Sequence, residues 1–105
     1  MDLTQKIYFN LMKVPKGKVI TYKELAKSTN SRAYRFVGNC MKNNKFPDKI
    51  PCYKVVNSNG NVGNYSGKGG VKIKIKKLRF DGIKVVNGKI DLKRFGESLN
   101  NGGIQ

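Results

Sequence analysis

Apolar residues recur along this chain first at helical spacing and later in short β-like runs. In "LTQKIYFNLMK", Leu3, Ile7 and Leu11 share one face with Tyr8 and Met12 beside them, which predicts a helix that Pro15 and Gly17 then stop. "VITYKELAKSTN" opens with Thr21 and Glu24 at capping-box spacing and with Ile20 and Leu25 at the staple positions. That frame predicts a short helix to about Lys27, with Tyr22 as its first residue on an exposed first turn. "STNS" is a polar turn. In "SRAYRFVGNCMKN", Ala33, Phe36, Val37, Cys40 and Met41 form a predicted buried stripe, and Arg32, Arg35, Asn39 and Lys42 recur on the opposite side. Two short helices joined by a tight polar turn, the second with a basic outer face, predict a helix-turn-helix.

The second half reads differently. "YKVV" and "NVGNY" flank "NSNG", a predicted hairpin with Asn59-Gly60 at its turn, where a winged helix-turn-helix carries its wing. "GGVKIKIKKLRF" fits two patterns. The alternation of Val71, Ile73 and Ile75 favours a strand; its length, and the spacing of Val71, Ile75 and Leu78, favour a helix. "IKVVNGKIDL" is the clearest hairpin, with Asn87-Gly88 between apolar runs. The expected fold is therefore mainly α with small β-hairpins, a winged helix-turn-helix-like DNA-binding domain. It is expected as one domain over residues 1–97, followed by a disordered tail at 98–105.

Composition sharpens the picture. The 105 residues carry 22 Lys and Arg against six Asp and Glu, a formal charge of +16. Such self-repulsion does nothing for a small fold and is usually offset by a polyanion, most often nucleic acid. An evenly spread, solvated lysine surface is the plainer alternative. The chain has no histidine, so Ser–His and Cys–His catalysis within it are excluded, and its two cysteines alone do not make a standard zinc site. Cys40 and Cys52 could form a disulfide, although two thiols in an intracellular chain are more often free. No long apolar run or signal-peptide pattern is present, so an intracellular, cytoplasmic, DNA-associated monomer without membrane contact is expected. "GNYSGKGG" has one residue too few between its glycines, and no Ser or Thr after Lys68, for a Walker A loop.

The candidate chemistry lies in "KIPCYKVV". Cys52 follows Pro51 at the start of a short β-like run, and it is either a nucleophile or a small residue in a turn. "VITYKELA", "RFVGNCMKNN", "IPCYKVV" and "GNYSG", in this order and spacing, decide the direction. Over about Leu3 to Gly82 they resemble the C-terminal domain of the O6-alkylguanine-DNA alkyltransferases. The amino-terminal domain of the larger family members is expected to be absent, a layout shared with the non-catalytic alkyltransferase-like proteins.

The resemblance implies a protein that binds the minor groove, flips an O6-alkylated guanine out of double-stranded DNA and takes its alkyl group irreversibly on Cys52. No metal or cofactor is implied. Tyr22 matches the tyrosine that hydrogen-bonds the base and donates toward the leaving guanine. Arg35 matches the arginine that fills the place of the flipped base, with Arg32, Ala33, Tyr34, Asn39 and Lys42 as the accompanying DNA-binding residues. Asn44 matches the brace of the Pro-Cys turn, and Tyr65 and Ser66 match the lid. The carbonyls of Cys52 and Val55 would read the exocyclic amine. One departure bears on mechanism. The family activates its cysteine through a histidine backed by a glutamate, and those positions hold Tyr53 and Asp81 here. Phenols, with pKa near ~10, are poor bases at neutral pH, whereas free thiols near ~8.5 are still a few per cent thiolate. Slow transfer that quickens with pH is therefore expected. The alternative is a lesion-sensing protein that flags alkylguanine for other repair proteins; a plain helix-turn-helix regulator ranks third.

Overall fold

A computed structural model describes residues 1–65 and 67–99. Helix α1 spans Leu3–Leu11, strand β1 Ile20–Thr21, α2 Tyr22–Lys27, α3 Tyr34–Lys42, strand β2 Val55–Val56, α4 Gly70–Phe80 and α5 Leu92–Phe95. A single 3₁₀ turn, Cys52–Lys54, leads into β2. The chain is thus mostly helical with a small two-stranded sheet.

Local chemistry sets the helix ends. Asp2 caps α1 by accepting from Gln5 N–H, and the Gln5 side chain accepts in return from Asp2 N–H. Thr21 caps α2 by accepting from Glu24 N–H at 3.0 Å, as its spacing predicts. The reciprocal half of that box is replaced: the Glu24 carboxylate accepts from Ser98 Oγ at 2.9 Å. Ser98 and Leu99, expected in the tail, are therefore docked, Leu99 against the first core cluster. The rest of that segment, 100–105, lies outside the described residues.

The sheet departs from the predicted pattern. Val55–Val56 does not pair with residues 61–65 as a hairpin. It runs parallel to β1, with Ile20 opposite Val55 and Thr21 opposite Val56. The "NSNG" turn does form, with Gly60 N–H donating to Asn57 O and Gly60 at φ +91°. The segment after it instead meets the second turn: Asn61 bridges Lys89, and Val62 N–H donates to Gly88 O at 2.9 Å. That second turn is as predicted, with Val86 and Lys89 exchanging both backbone bonds around Asn87 and Gly88 at positive φ.

Successive residues of a strand face opposite ways, and the parallel pair uses this to divide the core. Ile20 and Val55 face a cluster built with Ile7, Leu11, Leu25, Val37 and Met41, so α1, α2 and α3 pack on one side. Val19 and Val56 face a second cluster with Leu78, Ile83, Ile90 and Phe95. Fully burying each such aliphatic chain contributes about 1.5–3 kcal/mol, enough for two short strands to hold register at the seam. The segment 70–80 is a helix because its buried positions are Lys74 and Leu78, four residues apart, while Val71 remains 40 % exposed. Tyr8 on α1 donates to Cys40 O at 2.6 Å and so ties α1 to α3.

Two residues of the predicted buried stripe are not buried. Helix α3 begins only at Tyr34, so Ala33 is its exposed N-cap, and Phe36 on the first turn is 38 % exposed. The first turn of α3 projects beyond the cluster that covers Val37, Cys40 and Met41. Its outer end is therefore a run of exposed residues from Arg32 to Phe36.

Candidate nucleic-acid interface and cysteine cavity

The exposed run supplies the first part of the site. Arg32 lies just before α3, and Tyr34 and Arg35 occupy its first turn; Asn39 and Lys42 continue the same side, and all five are exposed. Ala33 stands among them as the cap. Two arginines, a tyrosine, an asparagine and a lysine on and just before one projecting helix give cations for phosphates and planar groups for bases.

The same helix walls a cavity. Gly38, Met41 and Lys42 line a space of about 360 Å³ together with Tyr22, Cys52, Asn64 and Tyr65. Cys52 enters it from the 3₁₀ turn. Its N–H donates to Ile50 O at 2.7 Å, and Asn44 Nδ2 donates to the same carbonyl at 2.8 Å while its Oδ1 accepts from Phe46 N–H. The Asn44 amide thus bridges both ends of the loop that delivers Pro51-Cys52.

Exposure does not separate the two cysteines, at 4 % for Cys40 and 6 % for Cys52, and both thiols are free. The cavity does. Cys40 faces α1, with Sγ 3.7 Å from Thr4 Oγ1, and burial pushes its thiol up. Cys52 faces space large enough for a base. Tyr22, expected outside, is half-buried against the first cluster and turned toward this cavity. Burial first, and the nearby Cys52 second, raise its hydroxyl above the ordinary tyrosine value, so it stays protonated there.

Two further candidate side chains lie beside this cavity. Tyr53 and Asp81 do not line the Cys52 cavity; they line a neighbouring cleft with Pro47, Ile73 and Phe80. Tyr53 Oη donates to Asp81 Oδ2 at 3.1 Å, and its hydroxyl is pushed up to about 12 by burial and then by that carboxylate. Val55 is fully buried, and its carbonyl already accepts from Lys74 Nζ at 2.7 Å, so any ligand would share it. Ser66 lies outside the described residues.

Lys74 is the residue that sequence reasoning misses. It is 1 % exposed, and its ammonium donates to Val55 O and, at 3.0 Å, to Asn64 O. It therefore fastens the strand after Cys52 to a residue of the cavity wall. Burial lowers it to about 8 against an opposing effect of Cys52. The readable signal is its position four residues before Leu78, once the segment is taken as a helix. Gly38 has a signal too. Glycine inside a helix costs roughly 0.5–1 kcal/mol relative to alanine, and here the absent side chain leaves room at the cavity wall.

A helix-turn-helix whose second helix is basic outside and walls a buried cysteine's cavity defines a DNA-binding domain of the alkyltransferase type. The DNA binding domain model of 6-O-methylguanine DNA methyltransferase matches residues 2–83, and the chain belongs to that family. The bifunctional methyltransferase/endonuclease of Picrophilus torridus is 43 % identical over 96 residues, covering 90 % of this chain and 32 % of that protein. The methylated-DNA–protein-cysteine methyltransferase of Homo sapiens is 48 % identical over 73 residues, 68 % of this chain and 35 % of that one. The chain thus spans about a third of the length of these curated relatives. Among solved structures, the O6-methylguanine-DNA methyltransferase of Pyrococcus kodakaraensis superposes with a TM-score of 0.70 at 38 % identity, covering 79 % of this chain and 47 % of that one. S. pombe Atl1, in complex with damaged DNA containing O6-carboxymethylguanine, gives 0.82 at 24 % identity, covering 93 % and 99 %, and shares the fold.

Proposed function

We propose that this chain binds duplex DNA along α3, receives an O6-alkylated guanine in the cavity, and takes its alkyl group on Cys52. The observation that carries the reading is the position of Cys52 in a cavity walled by the basic helix. A base turned out of a duplex held on α3 has only the width of that helix to cross. In the transfer step, Cys52 Sγ as thiolate attacks the alkyl carbon. The new C–S bond forms as the C–O6 bond breaks, and the electron pair leaves with guanine. Tyr22 keeps its proton, as its raised hydroxyl requires, and donates a hydrogen bond toward the leaving base. The departing guanine takes from solvent the proton that the thiol released there. Arg35 occupies the vacated place in the stack. Extruding a base costs a few kcal/mol, least for a damaged and weakly paired one, which favours the lesion.

One observation favours a second reading, lesion binding without transfer. Tyr53 is held by Asp81 outside the cavity lining, so the side chain at the family's base position is not available as a base at neutral pH. Mass spectrometry after prolonged incubation with O6-methylguanine duplex at pH 8.5 separates the two. Transfer puts one methyl group on the peptide containing Cys52 and none on that containing Cys40. Lesion binding with Cys52 unmodified leaves only the sensor.

A further inference from the structure

Helix α4 reaches the cavity wall with two lysines one turn apart. Lys74 holds the Asn64 carbonyl, and Lys77 Nζ donates to Tyr65 Oη at 3.0 Å, so consecutive residues of the wall are gripped from one helix face. The Lys77 ammonium meets Tyr65 at its hydroxyl edge and also stands 5.8 Å from the ring centre of Tyr53, within cation–π range. The Tyr65 ring also lies on Gly67, where an added Cβ would collide with it. The ring therefore lies against a residue with no side chain while its hydroxyl is held by a half-buried cation.

We propose that Lys77 is a positioning residue that clamps Tyr65 at the wall of the Cys52 cavity, fixing that wall before a base arrives. The inference rests on the reading of the cavity as a base-accepting site. Tyrosine in a loop would otherwise sample several rotamers, and ordering it only on binding would weaken capture of the base. Lys77 also stands over the ring of Tyr53, which follows Cys52, so one ammonium relates the wall to the turn that carries the thiol. The competing role is that of an ordinary phosphate contact. Against it stand the half-buried position of Lys77 and the direction of its ammonium, toward the Tyr53 ring and the Tyr65 hydroxyl.

The test begins without DNA. Alkylation of Cys52 by iodoacetamide, resolved from Cys40 by peptide mapping, reports how often the wall opens. Lys77→Met and Tyr65→Phe should each speed it by about tenfold, the equivalent of one charge-assisted hydrogen bond, and the double variant no further. Lys77→Arg, which keeps a cation and a donor, should retain most of the protection. Unchanged alkylation in Lys77→Met, or effects that multiply in the double variant, would overturn the clamp. With DNA, Lys77→Met should lower the preference for O6-methylguanine duplex over unmodified duplex, and Lys76→Met should not. Equal losses on both duplexes would make Lys77 a phosphate contact. A parent protein without lesion preference would defeat the base-accepting reading, and the alkylation arm would still decide the clamp.

Discussion

Tyr53 and Asp81 form a hydrogen-bonded pair, Oη to Oδ2 at 3.1 Å, and the same carboxylate oxygen lies 3.5 Å from Lys54 Nζ. The turn after Cys52 is thereby tied to the end of α4. Lys54 is buried and donates also to Val14 O and Pro15 O, so Asp81 is its counter-charge in a place where water is scarce. Asp81→Asn should therefore destabilise the fold by about 3 kcal/mol, since it leaves a buried ammonium uncompensated. Tyr53→Phe should cost about 1 kcal/mol, one hydrogen bond. Denaturant titration measures both, and equal costs would remove the ion pair from the account.

The same pair sets the expected pH behaviour of transfer. A hydroxyl raised to about 12 stays protonated throughout the working range, so Tyr53→Phe should leave the pH–rate profile below pH 9 unchanged. Tyr53→His puts an imidazole beside the Asp81 acceptor and should quicken single-turnover transfer near pH 7. A Tyr53→Phe profile displaced toward higher pH would show the phenol acting as a base.

Lys74 gives stability a pH slope of its own. Its folded value of about 8 lies below the 10.5 of an ordinary lysine. Between those values the unfolded chain binds the extra proton, so this contribution to stability increases as pH rises across the window. The neutral amine keeps two N–H donors for its two carbonyls. The difference in stability between the parent protein and Lys74→Met should therefore grow from pH 7.5 to 9.5 in paired denaturant titrations. A constant difference would contradict the lowered value.

Gly38→Ala separates stability from recognition. No atom lies within 4 Å of an added Cβ, and alanine is the better helix former, so the fold should gain about 0.5–1 kcal/mol. The methyl group would intrude on the wall of the cavity, and affinity for O6-methylguanine duplex should fall while that for unmodified duplex stays constant. Melting curves and two binding titrations suffice; unchanged lesion affinity would remove Gly38 from the site.

Arg35→Ala should impair extrusion of the lesion more than it impairs duplex binding, read with a fluorescent base analogue at the lesion site. The duplex term itself should be salt-sensitive, with each phosphate contact contributing about −0.9 to the log–log slope. Equal losses in extrusion and binding would reduce Arg35 to a phosphate contact.

The sequence by itself determined the elements whose signals are local. The Thr21 cap and the Asn87-Gly88 turn need only neighbours a few residues away, and each is formed as its spacing predicts. On α1, Ile7 and Leu11 are buried as predicted, but Asn10 is buried with them and Met12, the C-cap, is 49 % exposed. The motif around Cys52 was likewise legible as a candidate site. Tertiary structure decided what depends on distant partners. Val55–Val56 pairs with Ile20–Thr21 because its two sides face two different clusters, which no local alternation reveals. Phe36 is exposed because the core ends one turn short of the start of α3. Lys74 is buried because two carbonyls from other segments receive its ammonium, and Tyr53 lies in the neighbouring cleft, where Asp81 accepts its hydrogen bond. A polar group goes where its hydrogen bonds can be completed, and only the folded chain brings those partners within 3 Å or so.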